Sequence, residues 1–253
     1  MNTSAQAVGI DIGGSKMAIA VVNTAGDILA RTTLATEAGL GFGRAIDRLS
    51  GVIEELRAHT NSSSPLAGVG IGCAGPVDPI RGLINNPYTL EGWNRCDIVT
   101  PLRERFGVPV HLENDADAAA VGECFSGAGR CFDPVVMLTS GTGGGGAVVV
   151  NGRVYRGMNG EHPELGHIPV AMDGPLCYCG IRGCLESLAS GTAIGAAGKG
   201  LGLADARAVF SSVASGNIAA QSILECALGA VASAGWTLCH TISPQRLILG
   251  GAA

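Results

Sequence analysis

The segment GIDIGGSKMAIAVV, residues 9–22, decides the fold because it sets a glycine-rich turn between two apolar runs. The glycine pair followed by Ser15 and Lys16 superficially resembles a P-loop, whose backbone N–H groups and lysine hold phosphate. A P-loop, however, has its lysine before the serine or threonine and opens directly into a helix. Residues 17–22 are apolar and end at the turn NTAGD, which predicts a strand. The glycine-rich turn therefore joins two strands.

The same unit occurs a second time in residues 135–157. Like residues 8–29, this segment reads as a strand, a polar glycine-rich turn, a strand, a two-residue hairpin turn and a further strand. The glycine-rich turns are DIGGSK and TSGTGGGG, and the hairpin turns are AGD and NGR. Two copies of one unit predict two related α/β domains. We place these domains at residues 1–117 and 118–253.

Further elements are predicted between and after the two copies. Apolar residues at helical spacing predict a helix over residues 41–59, which NSSSP ends. Residues 76–94 have the composition of a loop. A helix that begins at Asp115 or Asp117, with Asn114 or Asp115 as its cap, is expected where the chain crosses between the domains. The other expected elements are the strand LAGVGIGCAG, a helix near residues 98–106, the strand VPVHLEN, helices through residues 189–240 and the strand RLILGG.

Composition limits the function classes. The chain has 253 residues, of which 47% are hydrophobic, 15% are charged and 40 are glycine, as suits an α/β enzyme with many tight turns. The net charge of -5 and the lack of any run of Lys or Arg exclude a basic surface for nucleic acid or an anionic membrane. Neither a signal sequence nor an uninterrupted apolar run of transmembrane length is present, so we expect a cytoplasmic protein.

The nine cysteines divide into a group of three and six that stand alone. An odd number of scattered thiols argues against a disulfide framework and for a reducing compartment. We therefore expect the single cysteines to be small buried apolar residues. They are Cys73, Cys96, Cys124, Cys131, Cys226 and Cys239.

Both glycine-rich turns are candidate phosphate sites. Successive backbone N–H groups in such a turn form a concave anion site, and glycine lets the backbone approach a phosphate. The alternative is a tight hairpin without a ligand. The duplication favours phosphate, and so do the polar residues of the turns, which are Asp11, Ser15, Lys16, Thr139, Ser140 and Thr142.

A group of polar residues ends the strand in HLENDADAAA, where Glu113, Asn114, Asp115 and Asp117 follow one another closely. Ligand sites in α/β folds lie at strand ends, and a carboxylate there can act as general base for a hydroxyl nucleophile. Helix capping is the alternative role for Asp and Asn at this junction. We expect one of the four residues to cap the helix and one to serve the chemistry.

The most specific motif is GHIPVAMDGPLCYCGIRGC, which supplies one imidazole and three thiolates from His167, Cys177, Cys179 and Cys184. This donor set is typical of a closed tetrahedral zinc site that is structural, since no coordination position stays open for water. The alternative is a chance grouping of three cysteines and a histidine.

Taken in order, the motifs resemble the ROK family of bacterial sugar kinases, repressors and uncharacterised relatives, within the actin-like ATPase superfamily. They cover nearly the whole chain and are, in order, DIGGSK, GCAGPVDP, NNPYTLEGW, ENDADAAA, TSGTGGGG, ELGH, CYCGIRGCLES and LILGG. The resemblance implies a two-domain, ribonuclease H-like fold with duplicated mixed sheets flanked by helices.

The resemblance also implies the site. Asp115 would be the catalytic base, Asp11 the outer-sphere magnesium partner, and His167 would join the zinc site to the sugar site. The implied sugar-binding residues are Gly75, Asn86, Asn114, Glu164, His167 and Glu186. The implied nucleotide-binding residues are Asp11, Gly13, Gly14, Ser15, Lys16, Ser140, Gly141, Thr142, Gly143, Gly144, Gly250 and Gly251.

The implied reaction is phosphoryl transfer from ATP, with Mg²⁺, to a hexose or acylamino sugar, and the domains are expected to close and exclude water. A glucokinase is the leading interpretation, with an N-acetylmannosamine or fructose kinase as the alternative. We expect a homodimer that binds neither nucleic acid nor membrane. Because six residues precede the first strand, we expect no helix-turn-helix of the kind that the family's repressors carry.

Two features depart from the family pattern. Asp117 stands where a second Asn is common, which adds a negative charge near the proposed base. The sequence also ends at LILGGAA, where the resemblance implies a continuing adenosine loop, another strand and returning helices. We therefore expect an apparently truncated C-terminus with weak ATP binding, and a catalytically impaired sugar-binding protein is the third interpretation.

Overall fold

The computed structural model describes residues 5–60 and 64–251. Contacts within the chain divide it into two compact units, Met1–Ala119 and Ala120–Ala253. This division and the predicted boundary after residue 117 both fall inside one helix, Asp115–Ser126. The predicted helix stop NSSSP and the final LILGGAA lie partly outside the described residues.

A five-stranded mixed sheet forms the centre of the first unit. The elements in chain order are β1 (Gln6–Ile12), β2 (Lys16–Asn23), β3 (Ile28–Ala35), α1 (Phe42–His59), β4 (Leu66–Cys73), β5 (Val77–Asp78), β6 (Leu83–Ile84), β7 (Cys96–Asp97), α2 (Val99–Phe106), β8 (Val110–Asn114) and α3 (Asp115–Ser126). The strand order is β3-β2-β1-β4-β8, in which β1, β4 and β8 run parallel. Alternate residues of β1 and β2 are buried, which follows from the two-residue period of a strand. Leu49, Ile53 and Leu56 of α1 complete this core.

Two details of the first unit differ from the sequence predictions. Residues 76–94, predicted to be rich in loops, contain β5 and β6; β6 pairs with both β5 and β7 in a small separate sheet. These strands are two residues long, too short for a period to show. The first hairpin turn is longer than the predicted two residues, because the Asn23 N–H donates to the Asp27 carbonyl at 3.1 Å and Gly26 adopts a φ of 92°.

The second unit repeats the strand pattern of the first. After the remainder of α3 come β9 (Val135–Ser140), β10 (Gly144–Val150), β11 (Arg153–Val154), α4 (Leu185–Ala189), α5 (Gly191–Gly198), α6 (Ala206–Ala214), α7 (Ile218–Thr241) and β12 (Arg246–Gly251). The sheet order is β11-β10-β9-β12, with β12 parallel to β9. Asn151 and Gly152 form the predicted two-residue turn, with φ values of 53° and 69° that suit a type I′ hairpin.

Helix α7 is the one helix in the described part of the chain whose length and composition would allow it to cross a membrane, with a mean hydropathy of 1.4. The charged residue Glu225 interrupts its sequence, so α7 is not an uninterrupted apolar run and was not noticed in the sequence. Core helices of soluble proteins share this composition but are mostly buried. Helix α7 buries Ala227, Ala234 and Leu238 in the core of the second unit, and 28% of its most apolar stretch is buried.

The cysteine prediction is wrong in part. Cys73 is buried, Cys96 and Cys124 are half-buried, and Cys131, Cys226 and Cys239 are exposed free thiols. Cys226 and Cys239 lie on α7, whose buried residues are mostly alanines at other positions of the helix. Residue type alone therefore does not report which face of a helix is buried.

Two glycines of the second unit should respond in opposite ways to substitution by alanine. Neither Gly229 in α7 nor Gly216 before it has an atom within 4 Å of an added Cβ. Gly229→Ala should raise the free energy of unfolding by about 0.5–1 kcal/mol, because alanine restricts the unfolded chain and suits a helix. Gly216→Ala should lower it, because Gly216 has a φ of 86°. Urea unfolding followed by circular dichroism measures both, and shifts of equal sign would contradict the prediction.

Candidate active site

The carboxyl ends of three parallel strands meet at one edge of the first unit's sheet. The register aligns Ile12 of β1 with Cys73 of β4, and Cys73 with Asn114 of β8. Asp11 and Asp115 therefore flank the end of β4. Burial raises the pKa of the Cys73 thiol, and the negative charges of Asp115 and Asp11 raise it further. Ligand sites of α/β folds lie at this edge.

Asn114 caps helix α3. Its Oδ1 accepts hydrogen bonds from the N–H groups of Ala116 at 2.9 Å and Asp117 at 3.4 Å, and both Asn114 and Asp117 are buried. The Asp115 carboxylate accepts from the Ala116 N–H at 2.9 Å. It lies in the first turn of the helix, where the helix dipole favours a negative charge. Gly75 lies beside the side-chain nitrogen of Asn114.

The first glycine-rich turn lies at the same edge. The Gly13 N–H donates to the Lys16 carbonyl at 2.9 Å and closes the turn. Burial raises the pKa of the Asp11 carboxyl, and the Lys16 charge opposes that rise. The predicted residues Asp11, Gly13, Gly14, Ser15 and Lys16 are thus brought together with Asp115.

Asn86 organises the loop that packs against this turn. Its Nδ2 donates to the Ala74 carbonyl at 3.1 Å and to Thr89 Oγ1 at 2.8 Å. Its Oδ1 accepts from the N–H groups of Tyr88 and Thr89, each at 2.9 Å. Thr89 in turn lies against Gly14. Contact between Asn86 and a sugar stays a prediction, since these hydrogen bonds already occupy its amide.

The second glycine-rich turn joins β9 to β10. The Gly141 N–H donates to the Gly143 carbonyl at 2.9 Å, and the Gly144 N–H donates to Oε2 of Glu186 at 2.8 Å. On β12, Gly251 has a φ of 121° and lies so close to the Ser140 carbonyl that a Cβ would collide with it. The predicted nucleotide residues Ser140, Gly141, Thr142, Gly143, Gly144, Gly250 and Gly251 are therefore neighbours.

A cavity of about 340 Å³ adjoins this turn. Ser140, Gly144 and Glu186 form its polar side. Most of its remaining lining is apolar and includes Phe210, Leu224, Leu228 and Leu249. A mainly apolar cavity with a few polar groups at one end is typical of small-molecule sites.

A short 3-10 turn, Leu165–His167, packs directly on β10. A Cβ on Gly166 would collide with the Gly144 carbonyl, so this contact requires glycine. Glu164 precedes the turn, and its Oε1 lies 3.4 Å from His162 Nε2. The hydrogen bond from His162 lowers the pKa of Glu164, the charges of His162 and His167 lower it further, and burial opposes the change.

The cysteines of the motif in residues 166–184 converge on His167. The potential ligand atoms of His167, Cys177, Cys179 and Cys184 all lie within 4.8 Å of one another. Cys177 Sγ is 3.5 Å from His167 Nδ1, and the sulfurs of Cys179 and Cys184 are 3.5 Å apart. Thiolates bound to zinc at about 2.3 Å in a tetrahedron would be about 3.8 Å apart, so the cluster has a suitable donor set and size.

The comparison with known families agrees with these motifs, because the sequence model of the ROK family matches residues 7–253. The chain belongs to the ROK family. The glucokinase of Thermotoga maritima is 34% identical to it over 96% of this chain and 81% of that protein. The N-acetylmannosamine kinase of Citrobacter koseri is 36% identical, also over 96% of this chain and 81% of that protein.

A solved ROK structure supports the fold. The ROK glucokinase from Streptomyces griseus, in complex with glucose and AMPPNP, matches with a TM-score of 0.78 at 31% identity, over 97% of this chain and 83% of that chain. The predicted actin-like ATPase fold with mixed sheets and flanking helices is thus confirmed.

Reasoning from ROK motifs missed Tyr178. Its ring meets that of His167 edge to face, with centroids 5.0 Å apart and an interplanar angle of 81°. Partial desolvation raises the pKa of Tyr178 to about 12 although 82% of the residue is exposed, and the charges of Glu186 and Glu164 contribute to the rise. Tyr178 thus lies among three predicted sugar-binding residues, and its position between two cluster cysteines was the available signal.

Substitution of Gly166 should test the packing of the His167 segment on β10. Gly166→Ala forces a Cβ into the Gly144 carbonyl and should lower the free energy of unfolding by about 1–3 kcal/mol. Gly141→Ala is the matched control, because an added Cβ there meets nothing within 4 Å. Thermal and urea unfolding of both variants give the comparison, and equal stabilities would contradict this packing.

Proposed function

We propose that this ROK protein is an ATP-dependent hexose kinase, with glucose as the leading acceptor and N-acetylmannosamine as the alternative. The similarity to a glucokinase and to an N-acetylmannosamine kinase over 96% of the chain carries this proposal. Two carboxylates, Asp11 and Asp115, lie where the parallel strands of the first unit end, which is the edge at which α/β folds bind ligands, and this arrangement supports the proposal.

Asp115 is proposed as the general base. A sugar hydroxyl that attacks the γ-phosphate must lose its proton, and a positioned carboxylate can accept it. The Asp115 carboxylate lies in the first turn of α3, where the helix dipole favours a negative charge, and Asn114 caps the helix and fixes that turn. Asn114 would also use its side-chain nitrogen, next to Gly75, toward a sugar hydroxyl.

Glu164, His167 and Glu186 are proposed as the sugar-binding residues of the second unit. The hydrogen bond from His162 favours an ionised Glu164, which can accept hydrogen bonds from hydroxyl groups. Nδ1 of His167 faces Cys177, which leaves Nε2 as the atom of this ring to meet a sugar.

The two glycine-rich turns are proposed to hold the phosphates of ATP, whose purine would enter the cavity beside Gly250 and Gly251. Backbone N–H groups and Lys16 complement the phosphate charge, and the cavity suits an aromatic base. Mg²⁺ would supply charge neutralisation at the phosphates. Asp11 is its proposed outer-sphere partner, because a carboxylate can accept hydrogen bonds from the water molecules that Mg²⁺ keeps.

The Cys/His cluster is proposed to bind a structural zinc ion. Four protein donors close the coordination sphere, so zinc would shape the site and take no part in the transfer. Glu186 follows the proposed ligand Cys184 by two residues, and zinc binding by His167 would fix the tautomer of its imidazole ring.

We also propose a cytoplasmic homodimer without nucleic acid or membrane contact, which sedimentation and localisation experiments would test.

The base assignment predicts the behaviour of Asp115→Asn. Assayed with ATP against glucose, N-acetylmannosamine and fructose, the wild-type chain should phosphorylate at least one sugar. Asp115→Asn keeps the shape of the side chain but removes the base, so turnover should fall by about 10²–10⁴-fold while sugar affinity changes little.

Asp47→Asn, on the exposed part of α1, is the matched control and should leave turnover unchanged. Near-normal turnover in Asp115→Asn would reject the base. Transfer to none of the sugars would reject the proposed function itself.

The zinc proposal predicts one zinc ion per chain after dialysis against a weak chelator. Cys184→Ser should lose the metal, lower the thermal midpoint and weaken sugar binding, because Glu186 lies in the same segment. Cys226→Ser removes an exposed thiol outside the cluster and should keep the metal. Metal analysis and sugar calorimetry decide the question, and a zinc-free wild type or a disulfide at Cys177 would reject the site.

A further inference from the structure

Each glycine-rich turn is held by a threonine from another element. In the first unit, Thr36 follows β3 and is fully buried. Its N–H donates to the Ser15 carbonyl at 3.0 Å, and its hydroxyl donates to the Gly13 carbonyl at 2.6 Å. One residue therefore holds two carbonyl groups of the first turn.

The second unit uses a similar arrangement at a different place in the sequence. Thr192 lies in the first turn of α5, and its hydroxyl donates to the Thr142 carbonyl at 2.7 Å. The Thr192 N–H donates to the same carbonyl at 3.3 Å, and the preceding Gly191 N–H donates to the Gly141 carbonyl at 2.8 Å. Ser140 adds a hydroxyl bond to the Ala189 carbonyl at 2.7 Å.

These hydrogen bonds decide where the N–H groups of the turns point. In a planar trans peptide the C=O and the N–H of one unit point in opposite directions. Since the Gly13 carbonyl faces Thr36, the N–H of Gly14 points away from Thr36. In the same way the Thr142 carbonyl faces α5, and the N–H of Gly143 points away from it. Each of these N–H groups is thus left unused by its threonine, and free N–H groups of a glycine-rich turn are the groups that bind anions.

We propose that Thr36 and Thr192 are positioning residues that set the two turns in their phosphate-binding conformation before nucleotide arrives. This inference rests on the proposed function, because it names residues that serve the same nucleotide site. Neither threonine touches the phosphates; each acts through the peptide units that it holds. A turn that already has its phosphate-binding conformation in the free protein loses less conformational entropy on binding, and nucleotide affinity is higher as a result.

The test removes each hydroxyl without changing the shape of the side chain. In Thr36→Val and Thr192→Val the affinity for AMPPNP, measured by calorimetry, should fall by about 5- to 10-fold, as expected for one lost hydrogen bond. Sugar affinity should stay within about twofold of wild type, since uncoupled sites respond independently. Thr36→Ser and Thr192→Ser retain the hydroxyl and should restore AMPPNP binding.

Thr237→Val is the matched control. Thr237 is an exposed residue of α7 whose hydroxyl donates to the Ser233 carbonyl at 3.0 Å, and its loss should leave AMPPNP binding unchanged. Wild-type affinity in both Val variants, or serine variants as weak as the valine variants, would overturn the inference. Because Thr36 is buried, the exposed Thr192 provides the variant that tests the idea without risk to folding.

Hydrogen exchange gives a readout that does not depend on activity. Peptides over residues 13–16 should exchange about 5-fold faster in Thr36→Val, and those over residues 140–144 in Thr192→Val, each without change in the other turn. If the wild-type chain phosphorylates no sugar, the proposed function fails, while AMPPNP affinity and exchange still decide the inference. If the wild-type chain binds no AMPPNP, or if exchange is unchanged in both variants, the inference fails as well.

Discussion

The second unit depends on close contacts between backbone segments that leave no room for a side chain. Gly166 lies against the Gly144 carbonyl and Gly251 against the Ser140 carbonyl, so two separate segments reach the same turn. Through these contacts the segment of His167 and the strand of Gly250 lie next to Glu186 and its hydrogen bond to Gly144. The positions of His167, Gly250 and Gly251 beside the second glycine-rich turn follow from those two close approaches.

In the first unit the corresponding constraint is the parallel register of three strands. This register brings Asp11 and Asp115 to one edge of the sheet, and the buried Asp117 follows Asp115 by two residues in α3. Like charges at one edge oppose each other, and the protein offsets part of this through Lys16 and the N-terminus of α3. The arrangement suits a site that receives a cation together with a negatively charged substrate.

Helices and strands in which the hydrophobic pattern repeats over several residues could be predicted from the sequence. Strands β1, β2, β4 and β8 and helix α1 were predicted because alternation or helical spacing persists over several residues. The donor set of the Cys/His cluster was also readable, since its residues are close in the chain and chemically distinctive.

What could not be predicted depends on contacts between distant residues. Thr36 bonds a carbonyl 23 positions away and Thr192 one 50 positions away, and no local pattern marks either pair. The strands β5, β6 and β7 are too short to show a period, and their pairing depends on the surrounding fold. Tyr178 was not predicted as a site residue, because its contact with His167 arises from the fold of the motif.

The exposed thiols of the second unit have a practical consequence. Cys226 and Cys239 on α7, together with Cys131, are accessible to thiol-specific dyes, whereas Cys73 is shielded. Spectroscopic probes on Cys131, Cys226 and Cys239 would label the second unit away from the edge that bears Asp115, although the half-buried Cys96 and the exposed Cys179 can also react. The same accessibility means that storage in air favours disulfides between molecules at these positions. Covalent dimers formed in this way must be removed with reductant before the association state of the protein is measured.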